Sequence, residues 1–284
     1  TVSNSAGTNT ATQTNYITVN PGPTAGFTSA TNGFTATFTN TSTNSTSYNW
    51  DFGDGNSSTE TDPEHVYDED GVYTVVLIAT NTCGPDTFIQ TVTIVTAPTA
   101  NFTATPTSGC GPLTVQFTST SSANATTFNW SFPGGTPATS TEENPAVVYT
   151  ATGSYTVTLI AGNSAGSDTI TLTNYVTVNP GPTAGFTSAT NGFTATFTNT
   201  SANGTSYNWN FGDGNSSTAP NPEHTYAADG TYTVTLIATN TCGSDTVTQT
   251  VVIVTPPTAG FSATPTSGCD PLAVQFTNTS SPNA

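Results

Sequence analysis

Trp50-Asp51-Phe52-Gly53-Asp54-Gly55, followed by Pro63-Glu64-His65-Val66-Tyr67 and Gly71-Val72-Tyr73-Thr74-Val75, decides how the rest of the chain is read. Trp50 and Phe52 alternate with polar residues and then meet a tight Asp-Gly turn, so the hexapeptide reads as a strand that ends abruptly. Upstream, Ala25–Ser29 and Phe34–Asn40 read as two strands joined near Asn32-Gly33, a strong hairpin signal. Phe34, Ala36 and Phe38 then share one face, with Thr35, Thr37 and Thr39 on the other. Downstream, a turn at Cys83-Gly84-Pro85 leads to a last strand, Thr87–Val95.

Composition agrees with an all-β chain. Only 33% of residues are hydrophobic, but they alternate with Thr and Ser in short runs, so each run buries one face and wets the other. Neither an amphipathic helical stretch nor a long apolar run is present, which argues against bundles and membrane insertion in this segment. The chain has no Lys or Arg and 17 acids, for a formal charge of −17. Without cations it has nothing with which to displace counterions from a phosphate backbone, so nucleic acid is excluded as a partner. Phosphate clamps, Schiff bases and lysine cross-links are excluded too. Trypsin-like proteases find no cleavage site.

The pattern repeats. Thr18–Ser42 is identical to Thr177–Ser201, an offset of 159, and Trp50, Cys83 and Cys110 map onto Trp209, Cys242 and Cys269. Two unit types alternate within that period. The expected divisions are 23–96 and 182–255 for a short type and 97–181 for a long type, each with one Trp (Trp50, Trp209 and Trp130). Residues 1–22 match the last strands of a long unit, and 256–284 match the first strands of another. The expectation is therefore a window on a longer polypeptide. Alternation of unlike neighbours is expected to limit misassembly between adjacent repeats.

Seven or so short strands in roughly 75 residues indicate an immunoglobulin-like sandwich. The three motifs quoted above, repeated as Trp209-Asn210-Phe211-Gly212-Asp213-Gly214, Pro222–Tyr226 and Gly230–Val234, resemble the PKD (polycystic kidney disease) domain. The long unit departs from the pattern at Trp130-Ser131-Phe132-Pro133-Gly134-Gly135 and Pro145–Tyr149, but keeps Gly153-Ser154-Tyr155-Thr156-Val157. The resemblance implies tandem PKD-type β-sandwiches arranged end to end, as in large secreted surface proteins and adhesins of the Bacteroidota.

Candidate sites are few. Asp51 and Asp54 flank a turn in which Asp ordinarily bonds local backbone, and Asp51 becomes Asn210 and Ser131 elsewhere, so they read as structural together with Gly53 and Gly55. Asp213, Gly212 and Gly214 repeat that role. Asp68, Glu69 and Asp70, with Asp62 nearby, offer oxygen ligands for calcium, but their counterparts Ala227, Ala228 and Asp229 keep one acid. An exposed acidic loop is the plainer reading. His65 and His224 read as strand residues rather than ligands, and the Trp residues as core. Sequons at Asn40, Asn56 and Asn124, and Asp168-Thr169-Ile170 and Asp245-Thr246-Val247, leave glycans open as partners. No cofactor loop is found.

The cysteines are more pointed. Four allow three pairings, and no complete unit holds two. Cys83 and Cys242 fall between the last two strands, at the N-terminal pole of a seven-strand sandwich. Cys110 and Cys269 follow a first strand, at the C-terminal pole. In an end-to-end rod, Cys83 and Cys110 lie nearly two domain lengths apart, far beyond the ~6 Å that a disulfide spans. Cys110 and Cys242 face each other across one joint, and that bond is expected. Cys83 and Cys269 are expected to pair with cysteines outside 1–284.

The reading is non-enzymatic. The leading expectation is a structural stalk, adhesin shaft or surface filament, extracellular, with neighbouring repeats or identical chains as partners. The alternative is a polysaccharide- or protein-binding accessory module of a secreted enzyme or adhesin.

Overall fold

The computed structural model describes residues 1–281; the last three residues of the 256–284 segment lie outside the described part. The described residues fold as strands in separate sheets, arranged as three sandwiches flanked by two small hairpins.

The first sandwich pairs a three-stranded sheet, ordered Phe27–Asn32, Thr35–Asn40, Glu64–Val66, with a four-stranded sheet, ordered Ser57–Ser58, Ser47–Asp51, Gly71–Asn81, Gly84–Ile94. The alternation of the sequence sets the two faces. Ala36 and Phe38 point in from one strand, and Val75, Leu77 and Ala79 from another, each 2% exposed or less. Trp50 lies at the centre, in edge-on contact with Phe27 and tilted against Phe38. Its indole nitrogen donates to the Glu60 carbonyl at 2.9 Å, so the one polar atom on a fully buried ring is satisfied. The third sandwich repeats this arrangement around Trp209.

Three local expectations need correction. The first hairpin turns at Gly33-Phe34, with Asn32 paired to Thr35, so Asn32 is the last strand residue and the first strand is Phe27–Asn32. Only Gly33 of the two turn residues has a positive φ (57°), the type II′ pattern with Gly in first position. Phe34 consequently sits at the turn, 40% exposed, instead of joining Ala36 and Phe38. The last strand begins at Gly84, earlier than the sequence suggests, and runs to Ile94 with Pro85 inside it. It is a sheet edge, where a residue without an N–H is tolerated.

The long domain differs in its first strand. Phe102–Thr105 pairs with Leu113–Ser119 in a four-stranded sheet; the chain then crosses over, and Ser108–Cys110 runs parallel to Gly166–Asn179 in the five-stranded sheet. Cys110 is thereby level with Asn179, the last residue of the final strand. In the short domains the corresponding chain turns back after one strand, and only the isolated bridges Thr24–Thr43 and Thr183–Ala202 precede it.

The flanking hairpins, Val2–Asn4 with Gly7–Asn9 and Phe261–Thr264 with Gln275–Asn278, correspond to pieces of the long domain. Ile17 and Val19 are exposed, whereas their counterparts Val176 and Val178 are buried. Phe261 and Phe276 are exposed, whereas Phe102 and Phe117 are buried.

Candidate functional site: the joints between domains

The motif residues are committed to structure. Asp51 Oδ1 accepts from Gly53 N at 2.9 Å, and Asp54 Oδ1 from Asn56 N at 3.0 Å. Gly53 has φ 82°, and a side chain there would meet the Thr74 carbonyl oxygen at 2.5 Å; Gly212 stands identically against Thr233. One contact was not foreseen: His65 Nε2 lies 2.7 Å from Asp54 Oδ2, with its ring stacked on Phe52 at 4.2 Å. His224 and Asp213 repeat the pair. For Asp54, desolvation by burial pushes the carboxyl up, but the bonds from His65 and Asn56 outweigh it and hold it below the usual carboxylate range. The available signal was that both residues recur together in the short units, while the long unit has Val147 in place of the histidine.

The acidic set proposed for calcium is not assembled. Asp62 accepts from Asn40 N at 2.8 Å, and Asp70 accepts from Thr96 N at 2.9 Å and Thr96 Oγ1 at 3.2 Å. Among the described residues, no three His, Cys, Asp or Glu side chains converge as metal ligands. Asp62 and Asp70 are each engaged with a backbone N–H instead.

Asp70 in fact belongs to a joint. Its Oδ2 also accepts from Asn124 Nδ2 at 2.7 Å, and so links the first short domain to the long one. Asn124 Nδ2 lies within reach of the Thr96 carbonyl as well, at 3.0 Å, and Asn163 Nδ2 donates to that carbonyl at 2.7 Å. The linker residue Thr96 is therefore held from behind by Asp70 and from ahead by Asn163. The Asn124 sequon is spent on this joint. At the Asn40 sequon the amide nitrogen is buried without a partner, and the Asn56 amide donates to Asp54 at 3.0 Å.

At the next joint Cys110 and Cys242 form a disulfide, with their Cα atoms 5.2 Å apart and a sequence separation of 132. Asn240 Nδ2 donates to the Pro180 carbonyl at 3.1 Å, the same clamp that Asn163 makes on Thr96 and Asn81 on Pro21. Cys83 and Cys269 are exposed and unbonded. Cys83 keeps the surroundings of Cys242: its N–H donates to Asn81 Oδ1 at 2.7 Å, and its sulfur lies 3.4 Å from the Asn20 carbonyl.

A second clamp recurs in all three domains. A carboxylate near the start of the last strand accepts from the backbone of the incoming segment: Asp86 from Ala25, Asp168 from Ala100 and Asp245 from Ala184, at 2.8 to 2.9 Å. The acids of both Asp-Thr-apolar motifs therefore have structural work.

Comparison with known proteins fits this arrangement. The PKD domain family model matches residues 21–96, 95–178 and 179–255. Collagenase ColA of Bacillus cereus is 51% identical over 45 residues, which is 16% of this chain and 5% of the collagenase. The chain thus spans only about one-twentieth of the curated relatives it matches. The PKD1 domain of the Vibrio cholerae metalloprotease PrtV is 38% identical, covers 26% of this chain and 98% of that domain, and has a TM-score of 0.25. The titin I-band fragment I67–I69, at 13% identity, covers 83% of this chain and 99% of its own, with a TM-score of 0.51, a likeness of fold alone. With three consecutive matches over most of its length, the chain belongs to the PKD domain family.

Proposed function

We propose that the chain is a structural segment of an extracellular shaft or surface filament, whose task is to hold distance between its ends. The observation that carries this reading is that both joints between complete domains are tied by side chains, one by the Cys110–Cys242 disulfide and the other by Asp70, Asn124 and Asn163 around Thr96. Modules that only needed to be strung together would not need their linkers clamped, since the default between domains is relative motion. The disulfide calls for an oxidising compartment, hence a secreted location. We read the segment as non-enzymatic: the Asp51 and Asp54 carboxylates are engaged with their own turn, and Asp54 also with a ring stacked into the domain.

The test is solution scattering combined with end-to-end distance measurement by fluorescence transfer. Each domain is spanned by an eleven-residue strand, so three domains in a stiff line extend roughly 110 Å at ~3.4 Å per residue. A narrow distance distribution near that value supports the shaft. A broad distribution centred well below it defeats the reading.

A second reading, an accessory module that engages a polymer, is favoured by the collagenase relatives. Cosedimentation with fibrillar collagen and with insoluble polysaccharide decides it.

A further inference from the structure

The disulfide does more than restrict a hinge, because of where its two ends lie along the path that tension must take. The incoming segment of the long domain is bonded at Ala100 to Asp168, near the start of the strand Gly166–Asn179. Ten residues later, at Cys110, it is level with Asn179, eleven residues beyond Asp168. Residues 100–110 thus run from one pole of the long domain to the other, first as the strand Phe102–Thr105 in the four-stranded sheet and then as Ser108–Cys110 beside the end of the final strand. Across the sulfur bridge stands Cys242, immediately before the strand Gly243–Ile253. That strand pairs without interruption with Gly230–Asn240, from Asn240–Gly243 to Gly230–Ile253, and so spans the second short domain from one pole to the other.

We propose that the Cys110–Cys242 bond is a load by-pass. A pull on the two ends of the chain travels along residues 100–110, through the two sulfur atoms, and out along Gly243–Ile253. Both protein segments on this path cross their domains pole to pole largely as strand, so they have little length to release. Residues 111–241, which include most of the cores of two domains, hang beside the path and carry no tension. The first short domain is the internal contrast. Within residues 1–284 its Cys83 is not bridged, so in this segment force enters near Pro21, leaves near Ile94 and loads the whole fold. In the segment, two domains with nearly the same sequence therefore answer force differently, according to whether one cysteine is bridged.

The inference extends the shaft reading by saying how a shaft would keep its length under tension, but its test is separate. A chain flexible in scattering could still divert load, and a stiff chain could still fail to. The experiment stretches single molecules of the full chain between protein handles fused at the two ends, before and after dithiothreitol is added to tethered molecules. Thiol titration beforehand is expected to find two free thiols, Cys83 and Cys269. Oxidised molecules are expected to show one unfolding event, that of the first short domain, releasing about 20 nm at ~3.4 Å per residue. Reduction is expected to unmask two more events and about 45 nm of further length, the span of the bridged loop. Cys110→Ser should give three events without reductant, and Cys83→Ser should leave the oxidised pattern unchanged. Because wild-type molecules are compared before and after reduction, the test stands even if Cys110→Ser folds poorly. Four free thiols at the start, or more than one unfolding event in oxidised molecules, would overturn the proposal.

Discussion

Asp70 and Asn124, 54 residues apart and in different domains, meet in a 2.7 Å hydrogen bond from an amide to a carboxylate. A charged acceptor strengthens such a bond, and its part-buried setting protects it from water; about 1.5 kcal/mol is a reasonable worth. Asp70→Ala and Asn124→Ala should each leave the melting of the individual domains nearly unchanged, apart from a small effect of the lost Thr96 contacts. Each should instead widen the distribution of angles at the first joint, read from residual dipolar couplings across residues 23–181. The double variant should be little worse than either single one. Full additivity would mean that the two residues act independently.

Tyr67 and Tyr226 donate through their hydroxyls to the Phe52 and Phe211 carbonyls at 3.1 Å, whereas the buried hydroxyl of Tyr149 has no partner. Removing a paired buried hydroxyl exposes an acceptor to loss, while removing an unpaired one relieves a desolvation cost. Tyr67→Phe should therefore destabilise its domain by about 1 kcal/mol, and Tyr149→Phe should be neutral or stabilising. Urea unfolding of the chain, followed by domain-resolved NMR signals, checks both.

Gly53 and Gly55 both have positive φ, 82° and 94°, but they differ in space. A Cβ at Gly53 meets the Thr74 backbone, and one at Gly55 meets nothing within 4 Å. Gly55→Ala should cost about 1 kcal/mol from backbone strain alone, and Gly53→Ala more than 2 because the sheet must also shift. Equal costs, measured by thermal unfolding, would place the constraint in φ alone.

Alkali should unfold the domains as their buried tyrosines ionise. Burial pushes Tyr67, Tyr149 and Tyr226 up to about 12, with the charge of Asp54 adding to the effect on Tyr67. A folded pKa above the unfolded value of about 10 means stability that is whole below pH 10 and lost as pH rises toward 12. The acid limb has the opposite sign. Asp54 and Asp213 are held low, so their contribution is present above the ordinary carboxylate value of 3.8 and falls away below it. Unfolding monitored by circular dichroism, with tyrosinate absorbance alongside, should show a plateau bounded by those two windows.

Much of the fold was legible because the relevant forces are local and periodic. Alternation along Thr35–Asn40 and Gly71–Asn81 names the inward faces, and glycines at 53 and 55 name a turn that only they can make. The pole-to-pole logic of a seven-strand sandwich pointed to Cys110 with Cys242, and these are the sulfurs the structure joins. What escaped were pairs whose partners become neighbours only after the sheets pack. His65 with Asp54 is one such pair. Asp86, Asp168 and Asp245 clamping the incoming backbone are others, since an exposed-looking acid in a strand carries no mark of a donor 61 to 68 residues away. Asp70, grouped with its sequence neighbours as an exposed acidic loop and a weaker calcium candidate, is bonded instead to Asn124 of the next domain, a partner that proximity along the chain does not reveal.

By itself, then, the amino-acid order determined the strands, the two alternating sandwich types and the side of each strand that is buried, since apolar periodicity must match the pleat if water is to be excluded. The tertiary structure decided what holds the domains in line. It committed Asp70 to Asn124 across one joint, and Asp86, Asp168 and Asp245 to the incoming backbone of their own domains. Those placements depend on where the packing of two whole sheets delivers each backbone segment, which no single stretch of sequence sets alone.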